Sequence, residues 1–361
     1  MISKRIKQIN AGGHSYLDGD WLINYEGGFI RRGLFGEILT LFNFNAKNSL
    51  YLILTFQVTM YLILILTLLI IAFKSKSRSF NYLILLNPAG FMFGYIDWGG
   101  GFRKEIIFYA SLALLYLSLN FNKYYLSYLS IILFYFGSLS WEGLLFFSPI
   151  YSLMFVKIIK INYLSQNNFN LNFERTRKKF LIIFNTFNLF LLILLLFFRG
   201  GVKSANQICQ SLTWSNNFDK HICDGSIYAI GWPLTKFLND TLDKFPEYFI
   251  YLFYFILALL PFILLFRNFL QDYKIRLIVL STIPLYILAI DYGRWISMTI
   301  LIFTFAVVIF DLPKRNLELP MLLCVIYIVS WGLPHWFNHI TWLSLLGKFW
   351  SEITGLNFPV Y

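Results

Sequence analysis

Long apolar runs separated by short polar stretches dominate this chain of 361 residues. Several runs approach or exceed the roughly 17–25 residues that an α-helix needs to cross a bilayer. This pattern predicts an all-α, polytopic integral membrane protein. Ten spans are expected, near residues 49–73, 79–96, 106–121, 125–140, 143–156, 180–198, 248–266, 276–290, 296–311 and 319–336, and an eleventh if residues 29–46 also cross.

Three of these spans are expected to be irregular. The second, fourth and fifth are short or contain residues that disturb helices, among them Pro88, Gly90, Gly94 and Pro149. Broken or re-entrant helices are tolerated at membrane depth where they line a cavity. We therefore expect helix breaks in these segments.

The first 48 residues fit the pattern poorly, because they contain no convincing transmembrane run. Either the amino terminus is periplasmic, or an earlier helix is missing from the sequence, or residues 29–46 cross in an irregular form. We favour an amphipathic or re-entrant segment that lies on the outer face. No cleavable signal peptide is visible.

The composition supports the membrane assignment and excludes a soluble helical domain. Hydrophobic residues make up 58% of the chain and aromatic residues 20%, with a mean hydropathy of +0.63. These values exceed what a soluble core requires.

The distribution of charge indicates how the chain is oriented. Cytoplasmic loops of membrane proteins are enriched in Lys and Arg, and the loops that alternate correctly to be cytoplasmic contain fifteen of the 30 Lys and Arg but four of the 18 acids. The net charge of +12 is therefore a topogenic signal and not a nucleic-acid footprint. The periplasmic face receives all four histidines and fourteen of the 18 acids.

The pattern divides the chain into five segments. They are a periplasmic or interfacial amphipathic segment at 1–48, a first transmembrane bundle at 49–198 with a cytoplasmic linker at 157–179, a periplasmic loop at 199–247, a second bundle at 248–336 and a periplasmic tail at 337–361. Cys209 and Cys223 both lie in the periplasmic loop, and an oxidising compartment favours a disulfide between them. Two free thiols are the alternative.

The stretch from Asp20 to Glu37 places Arg31 and Arg32 among glycines. Its central glycines are Gly27, Gly28, Gly33 and Gly36. Glycines allow tight turns and close approach to a ligand, and guanidinium groups suit phosphate oxygens. The stretch predicts a phosphate clamp; an interfacial helix whose arginines contact lipid headgroups is the alternative.

The outer loop from Asp97 to Glu105 repeats this composition. Glycines follow Trp98, and Arg103 and Lys104 then precede an acid where the next span begins. A second anion-binding loop is predicted. The alternative is a plain turn in which Arg103 and Lys104 snorkel to the interface.

Glu142 is the only charged residue between Lys123 and Lys157. It lies between two short apolar runs, where desolvation would make its carboxylate a better general base. An acid exposed in a short loop is the alternative.

Asp291 and Arg294 lie one helical turn apart, so an ion pair on one helix face is the simplest interpretation. In a second interpretation Arg294 faces an anionic substrate and Asp291 orients it. Tyr292 and Trp295 would then offer flat faces on which a sugar ring could stack.

Two further pairs have metal-like or catalytic spacing. His335 and His339 are four residues apart, although their aromatic neighbours also suit a membrane-interface belt. Asp18 and Asp20 have the spacing of a metal-binding acid pair, but this three-residue match is weak. Because phosphate loops, dinucleotide fingerprints and helical zinc-protease motifs are missing from the sequence, we expect neither a cofactor nor a metal.

Together these features resemble the O-antigen (Wzy-type) polymerases of Gram-negative bacteria and related polytopic surface-polysaccharide glycosyltransferases. The resemblance rests on the length, the ten or so spans, the large periplasmic loop, the outward-facing Arg, Glu and His, and the stretch Asn24-Tyr-Glu-Gly-Gly-Phe-Ile-Arg-Arg-Gly-Leu34. It covers the architecture of most of the chain. It departs at the start, where similar enzymes have an early membrane helix.

The resemblance implies a GT-C-like bundle in the bacterial inner membrane, with an active site that faces the periplasm. The implied reaction transfers a growing glycan from undecaprenyl pyrophosphate to an incoming lipid-linked repeat unit. Implied partners are the lipid-linked oligosaccharide, membrane lipids and a chain-length regulator, without nucleic acid.

The resemblance also suggests roles for the candidate residues. Binding of pyrophosphate and glycan would fall to Arg31, Arg32, Arg103, Lys104, Arg294, Trp98 and Trp295. Glu142, or else Asp97, Asp291 or His335, would take the proton from the attacking hydroxyl.

Two other functions are kept as alternatives. One is a glycosyltransferase that uses a polyprenyl monophosphate sugar, with Asp18, Asp20 or Glu26 as the base. The other is a repeat-unit flippase or transporter, although the two-fold repeats and midplane charges typical of transporters are not visible in the sequence.

Overall fold

The computed structural model describes residues 2–164, 172–243, 247–288 and 290–335. Over these ranges the protein is all-helical and has no β-strand. The predictions for His339, the tail 337–361 and part of the linker 157–179 lie outside the described residues. The chain divides into two compact units: unit 1 comprises Met1–Leu64 and Phe102–Lys236, and unit 2 comprises Ile65–Gly101 and Phe237–Tyr361.

The α-helices follow one another along the chain with short connections. They are α1 Ile2–Asn10, α2 Leu17–Leu22, α3 Leu34–Leu41, α4 Ala46–Lys74, α5 Arg78–Phe80, α6 Phe93–Ile96, α7 Trp98–Gly101, α8 Glu105–Phe121, α9 Tyr124–Ser140, α10 Ser148–Leu164, α11 Asn172–Phe197, α12 Val202–Gln210, α13 Ser226–Ala229, α14 Leu234–Asp243, α15 Glu247–Leu265, α16 Tyr273–Leu288, α17 Tyr292–Ile309 and α18 Met321–Ser330. The described residues also form 3-10 helices at Glu142–Phe147, Lys220–Cys223 and Phe269–Gln271 and π-helices at Asn81–Leu85 and Ser211–Ser215.

Within the described residues, five helices are long and apolar enough to cross a membrane, which supports the predicted membrane protein. They are Ala46–Lys74, Glu142–Ile161, Arg175–Phe197, Tyr248–Leu265 and Tyr292–Ile309. Three further apolar helices, α8, α9 and α18, have 10–17 residues. α8 and α9, with 17 residues each, lie at the lower limit of span length, whereas α18, with 10 residues, is shorter than a straight span requires.

The core of unit 1 is a packed group of α8, α9, α10 and α11. The left-handed Asn122 (φ 53°) ends α8 and allows α9 to return beside it. A buried hydrogen bond joins the Ser130 and Tyr151 hydroxyls at 2.7 Å, and the Tyr151 ring stacks on Phe134 at 4.4 Å. Hydroxyl contacts of this kind link helices where water cannot compete.

The amino-terminal helices of unit 1 contact the 198–230 segment. The Ser226 amide donates to the Ser15 carbonyl at 3.2 Å, and the Ala46 amide donates to Asn216 at 2.8 Å. The segment at 199–247, predicted as one long polar loop, contains the helices α12, α13 and α14 in its described part. Its disulfide between Cys209 and Cys223 confirms the predicted pairing.

In unit 2 the predicted span at 79–96 is broken, as Pro88 and Gly90 suggested. It consists of α5, a π-helical turn, a turn region and α6. The Asn87 side chain donates to the Ala258 carbonyl at 3.0 Å and accepts from the Ala89 amide at 2.9 Å. The second bond satisfies a backbone amide beside the break, and the first links this segment to α15. By contrast, the prediction that the fourth span, at 125–140, is broken is wrong, because α9 is continuous.

Candidate functional site

In unit 1, a pair of arginines shares one buried carboxylate. Arg31 Nη1 donates to Glu142 Oε1 at 2.8 Å, while Arg32 donates through Nε to Oε2 and through Nη2 to Oε1, each at 2.9 Å. The Glu142 side chain is 7% exposed, whereas those of Arg31 and Arg32 are 19% and 32% exposed. The carboxylate therefore lies inside the protein, and the two guanidinium groups reach the surface. We call these three residues the arginine clamp.

The backbone at Arg32 adopts an unusual conformation that sets the direction of the clamp. Arg32 has φ +71°, in the left-handed region that a side chain with a Cβ rarely occupies. Its carbonyl accepts a hydrogen bond from Lys104 Nζ at 2.9 Å, and Lys104 lies 3.9 Å from the Asp20 carboxylate. Since strained backbone persists only where the surroundings hold it, Lys104 is one of the groups that stabilise this turn.

The glycines around the arginines serve the protein's own packing more than a ligand. A Cβ at Gly33 would overlap the Tyr25 ring, and one at Gly36 would overlap the Ile23 carbonyl. Gly28, at φ +90°, does provide the expected tight turn. The prediction that these glycines bring backbone close to a ligand is therefore wrong for Gly33 and Gly36.

The predicted binding roles of Arg103 and Lys104 are not supported by their positions. Lys104 is 1% exposed and is occupied with Arg32 and Asp20. Burial lowers the pKa of Lys104 to about 8, although the Asp20 carboxylate opposes this shift. Arg103 is 9% exposed and donates to the Tyr16 carbonyl at 2.7 Å. Both side chains therefore form hydrogen bonds within the protein, to the Tyr16 and Arg32 carbonyls.

The predicted role of Glu142 also needs correction. Its burial is confirmed, with 5% of the residue exposed. However, two guanidinium groups lie within hydrogen-bond distance of its oxygens and stabilise the ionised form. A carboxylate with this environment is a poor proton acceptor, so its geometry suits positioning of Arg31 and Arg32.

An ion pair near the amino terminus was not predicted from the sequence. Arg5 and Asp18 are fully buried and paired, and Asp18 also accepts from the His14 amide at 2.8 Å. The only available signal was an arginine on the apolar face of α1. Because Asp18 is engaged in this way, it is a weak candidate for a metal ligand or a base. Among the described residues, no group of three His, Cys, Asp or Glu side chains could hold a metal ion.

In unit 2, the candidate residues Asp97 and His335, which are far apart in the sequence, lie in direct contact. His335 Nδ1 lies 2.6 Å from Asp97 Oδ2, and the His335 amide donates to the same oxygen at 2.8 Å. The other oxygen, Asp97 Oδ1, accepts from the Gly100 amide at 3.1 Å. Burial would raise the pKa of Asp97, but the contacts from His335 and Gly100 outweigh it and hold that pKa below its ordinary value.

Close backbone packing positions this histidine. A Cβ at Gly293 would overlap the Pro334 carbonyl, and a Cβ at Gly100 would lie 2.8 Å from Cβ of His335. These glycines thus permit α7 and the start of α17 to lie directly against residues 334–335. The glycine run after Trp98, which was predicted to bind an anion, packs against His335.

The predicted ion pair between Asp291 and Arg294 is confirmed. The sugar-stacking interpretation of the neighbouring aromatics is wrong. Tyr292 is fully buried, with the Tyr248 ring 4.4 Å away, and Trp295 is 2% exposed with the Arg294 guanidinium 5.0 Å from its ring centre. Arg294 is itself 8% exposed, so its immediate surroundings are protein groups. Trp98 is partly exposed at the start of α7 and remains a candidate glycan contact.

No protein-family model, curated protein or solved structure matches this chain. The function must therefore be argued from the two sites themselves.

The two sites are suited to different chemistry. The arginine clamp offers fixed, partly exposed guanidinium groups, which bind phosphate oxygens well. The imidazole of His335 and the carboxylate of Asp97 form a hydrogen-bonded pair just beneath the surface. The clamp belongs to unit 1 and the imidazole–carboxylate pair to unit 2.

Proposed function

We propose that this protein is a membrane glycosyltransferase of the O-antigen polymerase type, with a GT-C-like architecture. Its donor would be a glycan linked to undecaprenyl pyrophosphate, and its acceptor a lipid-linked repeat unit. The observation that carries the proposal is the arginine clamp, in which two guanidinium groups are held side by side on one buried carboxylate.

The clamp suits a diphosphate leaving group because its donors are already oriented. Arg31 and Arg32 supply two positive charges, and Glu142 supplies one negative charge. An excess of positive charge in a largely buried site favours binding of an anion. As the glycosidic bond breaks, negative charge develops on the diphosphate, and preorganised donors stabilise that charge. No nucleotide is required, since the donor is already activated.

The surroundings of the clamp support a periplasmic site. The Arg31 amide donates to the Phe198 carbonyl at 2.8 Å, and Gly27 packs against the Ser204 backbone. Both partners lie at or near the start of the segment that contains the Cys209–Cys223 disulfide. Disulfides persist in the bacterial periplasm and not in the cytoplasm, which supports the proposal that the clamp faces the periplasm.

The test is the lipopolysaccharide banding pattern of a strain in which the gene is deleted. We expect loss of the ladder and accumulation of single repeats on the lipid core, restored by the wild-type gene. The variants Arg31→Gln and Arg32→Gln should fail to restore the ladder at wild-type protein levels. Arg267→Gln is the matched control, because this arginine is exposed and far from the clamp in sequence.

Several outcomes would contradict the proposal. A full ladder in the deletion strain would exclude a polymerase. Full complementation by Arg31→Gln together with Arg32→Gln would exclude the clamp from donor binding. Consumption of single sugars from a polyprenyl monophosphate by the purified protein would favour the alternative glycosyltransferase, and accumulation of unflipped repeats on the cytoplasmic side would favour a flippase.

A further inference from the structure

Two exposed phenylalanines adjoin the arginine clamp at the end of α11, one of the helices that are long and apolar enough to cross a membrane. Phe198 follows the last residue of this helix, and its ring makes an edge contact with the Phe29 ring, with 5.3 Å between the ring centres. These two residues are 47% and 44% exposed. The clamp is joined to the same point, because the Arg31 amide donates to the Phe198 carbonyl at 2.8 Å. An apolar surface at the end of α11 therefore lies directly beside the guanidinium groups.

A third arginine lies next to this surface and was not predicted from the sequence. Arg199 is exposed and directly follows Phe198. Gly200, at φ +82°, turns the chain here, and a Cβ at this position would lie 3.4 Å from Cγ2 of Ile30. The backbone on both sides of Arg199 thus lies against residues 30–31.

The charge of Arg199 acts on the clamp. Glu142 raises the pKa of Arg31, but burial and the charges of Arg32 and Arg199 together lower it below its ordinary value. Like charges repel one another, so three guanidinium groups with one carboxylate are more stable with a bound anion than without one. Guanidinium groups and phosphate oxygens form strong, charge-assisted hydrogen bonds.

The phenylalanines indicate what kind of molecule carries the anion. An exposed apolar surface rimmed by polar groups marks a site of contact with a membrane or an apolar ligand. A polyprenyl diphosphate has a charged head and an apolar chain, and these match the arginines and the phenylalanines in turn. Inorganic diphosphate has no part that would contact Phe29 or Phe198.

We propose that Arg199 is a third binding residue for the diphosphate and that Phe29 and Phe198 contact the first isoprene units of the same ligand. The clamp would then receive its ligand from the bilayer, along the end of α11. This inference rests on the proposed function, because it takes the ligand of the clamp to be a polyprenyl diphosphate. It adds the residues that distinguish such a ligand from a soluble diphosphate.

The experiment measures equilibrium binding to the purified full-length protein in nanodiscs of phosphatidylcholine. One probe is undecaprenyl diphosphate in the nanodisc, and the other is inorganic diphosphate in the buffer. Thermal unfolding of each variant establishes that it is folded.

Arg199→Gln should weaken binding of both probes by about three- to tenfold, because an exposed charge that contacts the ligand is partly screened by water. Lys220→Gln is the matched control. It neutralises an exposed cation of the same disulfide-containing segment, beside His221, which contacts the Gly13 carbonyl at 3.2 Å. Its affinity for both probes should equal that of wild type.

Replacement of both Phe29 and Phe198 by Ser should weaken binding of undecaprenyl diphosphate by about tenfold, because the first isoprene unit would then lie against hydroxyl groups and water. Binding of inorganic diphosphate should not change. The matched control replaces Leu41 and Phe42 by Ser. These residues are 74% and 65% exposed at the opposite end of α3 from the clamp, and their loss should affect neither probe.

Three results would overturn the inference. The first is wild-type affinity of Arg199→Gln for both probes, and the second is an equal loss for both probes in the double Ser variant. The third is displacement of undecaprenyl diphosphate by phosphatidylglycerol at an equal mole fraction, because the arginines would then bind ordinary lipid headgroups. If the double variant does not fold, Phe29→Ser decides in its place, since Phe29 lies in an exposed turn.

The outcomes separate this inference from the proposed function. If the deletion strain loses its ladder but these variants bind both probes as wild type does, the inference is wrong and the proposed function stands. If the deletion strain keeps a full ladder, the proposed function is refuted, whatever the variants bind.

Discussion

The arginine clamp predicts a large loss of stability when its carboxylate is neutralised. In Glu142→Gln the side chain keeps its shape but loses its charge, and its amide NH₂ group points a donor at a guanidinium group. The variant thus breaks the ion pairs with Arg31 and Arg32, whose donor-to-oxygen distances are 2.8 and 2.9 Å.

The magnitude follows from how deeply each partner is buried. Removal of one partner from a buried ion pair costs about 3–5 kcal/mol. Arg31 and Arg32 are partly exposed, at 19% and 32%, so water can solvate the guanidinium groups that remain. We therefore expect a loss of about 2–3 kcal/mol, which corresponds to a decrease in Tm of about 4–12 °C for a unit of 150–250 residues.

The assay is thermal unfolding in a mild detergent, followed by tryptophan fluorescence. Glu26→Gln is the control, because it neutralises an exposed acid in the same segment and should leave Tm unchanged. Combining Glu142→Gln with Arg31→Gln should destabilise the protein by less than the sum of the single variants, since the two residues contact each other. A Tm equal to that of wild type, or effects that add within about 0.5 kcal/mol, would refute the proposed coupling.

Two further predictions concern groups that support the clamp. Burial lowers the pKa of Lys104 to about 8, so the unfolded chain binds more protons than the folded protein between about pH 8 and 10.4, and the stability of the fold should rise across that window. Lys104→Met should remove this increase; identical slopes of Tm against pH for the variant and wild type would contradict the prediction. Cys209→Ser removes the disulfide to Cys223, which closes a loop with a sequence separation of 14, so we expect a loss of about 3 kcal/mol of stability in thermal unfolding. Reductant should lower the Tm of wild type but not that of the variant; equal Tm values for the two proteins without reductant would contradict the prediction.

The sequence was sufficient to predict the features that depend on local pattern. The apolar run of α4 predicts a span because its length alone matches a bilayer. Pro88 predicts a break because it lacks an amide proton and obstructs the preceding turn. Cys209 and Cys223 lie close together in a polar stretch, so their pairing could also be inferred.

Tertiary structure decided which charged groups meet. Arg31 and Glu142 are 111 positions apart and Asp97 and His335 are 238 apart, and no helical or strand period relates such positions. Burial was equally invisible, because Lys104 and Trp295 have the same neighbours in sequence whether they face solvent or the interior. Helix formation and span length depend on residues within a few turns of one another. The partners of a charge depend on how helices pack, and this is why the sequence identified the candidate residues while the fold decided their roles.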